Sequence, residues 1–189
     1  MTRAILDGER LTGDTVYLRL IEMSDCGERY LGWLLDPAVN RFLETRWTDQ
    51  TIESIREFVG EMRRSPDNYL FAIIEKESER HIGNIKVGAI NSIHKHCDVG
   101  YFIGDREMWG KGIATEAIRL ATQFAFERLG MHRAQAVVDV DNPASAKALE
   151  RVGYKKEGTL REKLFMDGRW NDQLLYGIVG ADFAPIKAP

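Results

Sequence analysis

Cysteine is scarce: Cys26 and Cys97 stand alone and far apart, so the chain offers neither a disulfide framework nor a four-cysteine zinc site. Both thiols read as reduced and structural. Long apolar runs are absent too. The longest, such as Tyr69 to Ile74, fall far short of the roughly 18 residues that cross a bilayer, and Met1 to Arg10 contains no apolar signal region. A cytoplasmic protein with no membrane partner is expected. Charge of one sign is nowhere concentrated. The 26 basic and 29 acidic residues leave a formal net charge of -3 and form no block that could track a phosphate backbone, which argues against nucleic acid as the main partner. Internal repeats, low-complexity stretches and linkers are missing as well.

What is present fits one core. At 189 residues, 44% of them hydrophobic, the chain is below the usual two-domain length. A single domain over 1–180 with a loose tail over 181–189 is expected. Ser24 is placed to cap a helix through Tyr30, Leu31, Leu34 and Leu35, stopped at Asp36-Pro37 because the residue before proline avoids helical dihedrals. After Thr48, the spacing of Ile52, Ile55, Phe58, Val59 and Met62 predicts a second helix with these on its buried face.

Three strand candidates follow, Tyr69 to Glu75, His81 to Ile90 and Asp98 to Ile103, reading as an antiparallel meander. A helix is predicted over Ala114 to Leu129, stopped by Gly130. Ala134 to Val140 reads as a strand, Asn142 as the cap of a helix with Pro143 in its first turn and Gly153 past its end. Leu160 to Met166 and Trp170 to Val179 flank Asp167-Gly168, a hairpin signal. This order predicts an α/β (α+β) protein: a mixed sheet with helices on both faces.

The segment Trp109-Gly110-Lys111-Gly112-Ile113-Ala114-Thr115 carries the most chemical information. Glycines feeding a helix N-terminus leave main-chain N–H groups open to an anion such as a pyrophosphate; the competing reading is a tight turn that needs glycine only for positive φ. It is not a Walker A loop, since five residues rather than four separate Gly104 from Gly110 and no hydroxyl residue follows Lys111. It is not a dinucleotide fingerprint either, because Thr115 stands where a third glycine or alanine belongs.

The loop resembles the acetyl-CoA pyrophosphate loop of the GNAT superfamily of N-acetyltransferases: Gln or Arg, two residues, Gly, one residue, then Gly or Ala. Gly112 and Ala114 fit, and Trp109 replaces the first residue. Trp-Gly-Lys-Gly and Ala-Thr-Glu-Ala are usual in the subgroup resembling ribosomal-protein N-terminal acetyltransferases. The similarity spans nearly the whole chain, through Asp7 to Arg10, Leu18-Arg19-Leu20, Trp33 with Asp36-Pro37, Ile82 to Ile85, Asn142 to Ser145, Gly153-Tyr154 and Glu157 to Glu162.

That resemblance implies a mostly antiparallel sheet splayed between its fourth and fifth strands, here 98–103 and 134–140, with acetyl-CoA in the gap and no metal. It assigns the cosubstrate to Phe102, Ile103, Trp109, Gly110, Lys111, Gly112, Ile113, Ala114, Thr115, Asn142 and Ser145. Asp98 stands near a catalytic base position, the alternative being a solvated strand-end acid. Ser145 could hydrogen-bond the leaving thiol, or simply its own backbone, since the tyrosine that many relatives use is here Leu149. His94, His96, Cys97 and Asp98 form a cluster that could suggest zinc, but no second paired-ligand motif accompanies it and it reads as loop residues bordering the acceptor cleft; His94 is a further proton-acceptor candidate, since imidazole titrates near neutrality. The acceptor is a small-molecule or peptide amine: an amino sugar or nucleotide-linked amino sugar first, a protein N-terminus or small amine next. A homodimer agrees with family analogy. The missing tyrosine also keeps open a catalytically idle acetyl-CoA-binding module.

Overall fold

Six consecutive buried residues, Tyr69 to Ile74, need a strand covered on both faces. The computed structural model, which describes Ile5 and residues 7–184, supplies that. Its sheet runs β1-β2-β3-β4-β5-β6-β8-β7, with β1 Arg10–Thr12, β2 Val16–Leu20, β3 Tyr69–Glu75, β4 His81–Asn91, β5 His96–Ile103, β6 Arg133–Asp139, β7 Lys155–Met166 and β8 Arg169–Val179. Tyr69, Phe71 and Ile73 enter the larger core, shared with α4 (Ile113–Gln123) and α5 (Pro143–Val152). Leu70, Ala72 and Ile74 enter a second core under α1 (Glu28–Leu35), α2 (Pro37–Asn40) and α3 (Ile52–Arg64). All neighbouring strands pair antiparallel except β5 and β6, which pair in parallel.

Local chemistry sets most boundaries. Thr51 caps α3 reciprocally with Ser54, and Asp36 ends α1 while its side chain accepts the Ala38 N–H that opens α2. Asn142 accepts the Ser145 N–H at 3.2 Å, and Gly153 closes α5 at φ +111°. Asp167 and Gly168 both have positive φ, as a two-residue hairpin turn of the twist-matched kind requires.

Four expectations are corrected. Ser24 lies in a short 3-10 turn, and α1 starts after Gly27 with no side-chain cap. Phe58 is 39% exposed on α3 rather than buried with Ile55 and Val59. The helix predicted to Leu129 changes at Phe124 into a π-turn, closed by the Leu129 N–H to the Phe124 carbonyl at 3.2 Å. Val140, expected within the strand, lies beyond β6 and is exposed. Residues 181–184 of the expected tail lie on the body, where Phe183 meets Phe126 edge to face and Lys155 reaches Asp182; 185–189 fall outside the described residues.

The second core contains a histidine that matters for acid stability. His81 Nε2 faces the Gly83 carbonyl at 3.0 Å and Asn84 Oδ1 at 2.8 Å, so it carries the ring proton, and Trp33 packs on the ring at 4.9 Å. Burial pushes the His81 pKa below its ordinary value despite Asp25 at 3.8 Å. Burial alone would raise Asp25, but Arg19 and the Glu22 N–H together hold it below the carboxylate range. Both depressed values mean that the unfolded chain binds more protons. Stability from His81 is therefore complete above its unfolded pKa of about 6.5 and lost as pH falls toward the folded value, with Asp25 adding a second loss below about 4. Melting temperature measured across this range should fall with acid, and His81→Gln should flatten the upper step, which costs up to about 1.4 kcal/mol per pH unit.

Candidate active site

The sheet is joined at its centre by a short seam. His96 pairs with Arg133, Cys97 with Ala134 and Asp98 with Gln135; beyond these, β5 and β6 diverge. Main-chain groups alternate sides along a strand. The Gly104 N–H donates to the Ile82 carbonyl on the β4 side, and the Lys95 carbonyl accepts from Arg133 on the β6 side. The Val99 carbonyl and the main-chain groups of Tyr101 and Ile103 therefore face the gap, the Val99 N–H being part of the seam to Gln135, whereas the main-chain groups of Phe102 are spent on β4 opposite Asn84. Of the two residues expected to offer main chain to a ligand, Ile103 turns its N–H to the gap, its carbonyl being held by Trp109, whereas Phe102 packs its ring against Tyr30 and Trp33 at the edge of the cleft.

At the open end of the gap stands the glycine turn. Gly110 and Gly112 have φ of +75° and +81°, and a Cβ at either would meet no described protein atom within 4 Å. They are needed for dihedral angle and for clear approach, not for packing. Gly112 is the N-cap of α4, leaving the first-turn N–H groups of Ile113, Ala114 and Thr115 without a side-chain cap. Trp109 donates its indole N–H to the Ile103 carbonyl at 2.8 Å, fastening the turn to the end of β5. Lys111 does not line the cleft; its ammonium lies near Met108 Sδ at 3.8 Å. Glu116 faces away, accepting the Thr15 and Val16 N–H groups at 2.9 and 3.3 Å, so α4 is stapled to the β1–β2 turn.

Across the cleft, Ser145 Oγ lies 2.7 Å from the Tyr101 hydroxyl. This hydroxyl pair was only half visible in the sequence, where Tyr101 sat within the quoted strand without a role. Burial pushes the Tyr101 pKa up to about 12, the Ser145 hydrogen bond partly opposing it. Leu149 is fully buried in the core and carries no polar function.

The cleft of about 690 Å³ is lined by β5, the glycine turn, the end of β6 and the start of α5, including Asn142 and Ser145. A second cavity of about 380 Å³ opens beside it, between Arg41 to Trp47, β6 and the β7–β8 hairpin. Both share Arg41, Phe42, Leu43, Val137 and Asp139. Trp47 and Trp109 stand exposed on the rims, and Arg46 lies over the Trp47 ring at 4.4 Å. Asp98 and His94 line neither cavity. Asp98 accepts a hydrogen bond from Gln135 at 2.8 Å. His94 stands on the turn before β5, stacked with His96 at 6.5 Å, at the paired end of the seam away from the glycine turn. Among the described residues, no three His, Cys, Asp or Glu side chains gather as a metal site would require. Cys26 and Cys97 are buried and free, and burial pushes the Cys97 thiol up to about 12.

Residues 15–155 match the Acetyltransferase (GNAT) domain family. A Bacillus subtilis protein named "Probable N-acetyltransferase YjcK" is 32% identical over 91% of this chain and 98% of its own. The ribosomal protein uS5 alanine N-acetyltransferase of Escherichia coli is 26% identical over 93% of each chain. The fold is similar to a solved spermidine N-acetyltransferase from Vibrio cholerae in complex with CoA and spermine, with a TM-score of 0.79, 22% identity, and coverage of 89% of this chain and 97% of that one.

Proposed function

The chain belongs to the GNAT family of acetyltransferases, and from that premise we propose that it moves an acetyl group from acetyl-CoA to a primary amine by direct attack in a ternary complex. One observation carries the reading: the interrupted sheet, whose unpaired β5 main chain ends at a helix N-terminus kept clear by two glycines. A diphosphate suits that N-terminus, because first-turn N–H groups and the helix dipole both favour an anion. Gly110, Gly112 and the N–H groups of Ile113 to Thr115 would hold it, with Lys111 adding positive charge nearby. An amide-bearing arm suits the edge formed by Val99, Tyr101 and Ile103, with Asn142 and Ser145 opposite.

Bound acetyl-CoA supplies the activated acyl carbon. The protein's share is alignment and polarisation. A gap-side N–H of β5, at Tyr101 or Ile103, meets the acyl oxygen as it gains charge, and holding both reactants in one geometry removes much of the entropic barrier. The departing sulfur resembles a thiol of pKa about 8.5. Tyr101, held near 12, keeps its proton against such a thiolate and stabilises it by a hydrogen bond, together with Ser145.

The amine arrives through the smaller cavity. There Arg41, Arg46 and Lys163 are matched by Glu44, Asp139 and the Asp167 that both arginines bind, so a polycation finds no excess of carboxylate, while an amine carrying an anionic group can still meet Lys163. A nucleotide-linked amino sugar answers that description, and a plain amino sugar, with a single cationic group, still fits better than spermidine, with a protein N-terminus or another small amine as the remaining classes. Leu149 in place of the family tyrosine favours the idle-module reading, but the Tyr101–Ser145 hydroxyls supply a donor at the same cleft.

A thiol-release assay with acetyl-CoA and amino sugars, nucleotide-linked amino sugars, N-terminal peptides and polyamines tests the proposal. Amine-dependent release is expected, strongest with anion-bearing acceptors. Acetyl-CoA binding without release on any amine would favour the idle module, and preference for spermidine would refute the acceptor class.

A further inference from the structure

Among the described residues Asp139 has no ion-pair partner, in a place where that is costly. It is 6% exposed at the end of β6. Its Oδ1 accepts the Asp141 N–H at 2.7 Å, which shapes the turn into α5. Its Oδ2 is buried and has no partner among the described residues. A buried acceptor left unpaired is unfavourable and calls for an explanation. The position supplies one: Asp139 lines both cavities, so it stands where the cleft beside the glycine turn opens into the second cavity.

The strand alternation gives the facing. Asp98 and Gln135 share one sheet face, as their hydrogen bond requires, and the two-residue period carries Gln135, Val137 and Asp139 onto that face. Tyr101 and Ser145 lie on the other, against α4 and α5. The surrounding charges are otherwise engaged or distant in chemistry: Arg41 and Arg46 turn to Asp167, while Asp141 holds Arg169 and Asn171. Glu44 and Lys163 line the smaller cavity alone.

Resting on the transferase reading above, we propose that Asp139, rather than Asp98, receives the acceptor's ammonium group and takes its proton. The ammonium gives one proton to Asp139 Oδ2, freeing the nitrogen lone pair. The C–N bond forms to the acyl carbon and the C–S bond breaks. The second nitrogen proton ends on the sulfur, and Asp139 returns its own proton to water. The cavity then selects a cationic head next to Asp139 and a neutral or anionic body toward Lys163, Arg41 and Arg46 being bound to Asp167.

Asp139→Asn keeps the Oδ1 acceptor for the Asp141 N–H and removes only the base, so the turn survives. With acceptors graded in amine basicity, the loss of kcat/KM should grow with basicity, reaching about 100-fold or more on a strongly basic amine, while acetyl-CoA affinity stays at its wild-type value and the melting temperature does not fall. Asp98→Asn should show no such grading. An equal loss across all amines would reduce Asp139 to a structural role and overturn the proposal, as would an unchanged rate or a basicity-graded loss in Asp98→Asn instead. A wild-type protein that binds acetyl-CoA yet releases no thiol with any amine would overturn the transferase reading and this proposal with it, an outcome visible before any variant is made.

Discussion

Replacing Gly112 by Trp is expected to weaken acetyl-CoA binding by about 100-fold or more. Two main-chain hydrogen bonds to a charged phosphate contribute roughly 3–6 kcal/mol together, and each 1.4 kcal/mol lost is about tenfold in affinity. The protein should remain folded, because the new Cβ meets no described protein atom within 4 Å and the ring would project into the approach to α4. The φ of +81° adds about 1–2 kcal/mol of strain for an ordinary residue, which by itself could displace the turn. Gly112→Asn separates the two effects. Asparagine tolerates the left-handed region, so wild-type affinity in that variant would mean that the glycine serves dihedral angle alone, and lost affinity that clear approach is required. Calorimetric titration with acetyl-CoA reads both.

Phe124→Ala should be the most damaging core truncation among residues that position the site. Phe124 closes α4 and meets Phe71 and Tyr69 of β3 edge to face, at 5.2 and 5.1 Å. Truncating a fully buried phenylalanine costs about 3–5 kcal/mol, because a cavity remains where the ring stood. For a chain of this size that lowers the melting temperature by roughly 6–20 °C. The same contacts set where α4 begins its approach to the cleft, so the surviving folded fraction should bind acetyl-CoA more weakly. A loss below about 1 kcal/mol in urea unfolding would mean that the core collapses around the site.

Much of this architecture could be read in advance wherever one segment decides its own structure. The apolar run of β3, the Asn142-Pro143 helix start and the Asp167-Gly168 turn all act within a few residues, and all stand where they were expected. The glycine turn was legible for the same reason. Elsewhere the deciding partner is remote. The β1 strand, three residues long, has too little pattern to be seen without β2 beside it. Ser24 looked like a helix cap because its residue type fits, but the preceding 3-10 turn moved the start to Gly27. His94 is near Asp98 in sequence, yet an extended strand carries the cleft to the opposite end of β5. Asp139 and Arg41 meet at one cavity through folds that no local window contains. The π-turn at Phe124 was hidden because its residues keep enough of the helical spacing to imitate a continuous helix.

The unpaired main chain of β5 can also be seen as an edge strand turned inward. Exposed edges invite other chains to pair with them, and proteins usually blunt them with charge or short length. The outer edges here follow that practice: β1 is three residues long, and β7 presents Lys155, Lys156, Arg161, Glu162 and Lys163. The inner edge has neither defence, since Val99 to Ile103 carries no charge at all. Its protection is confinement, because the opposite wall is β6 and the two strands are still joined at Asp98 and Gln135. A second protein strand would have to enter a slot closed at one end. A slender ligand need not, and the fold thereby keeps an adhesive surface without exposing it to its own copies.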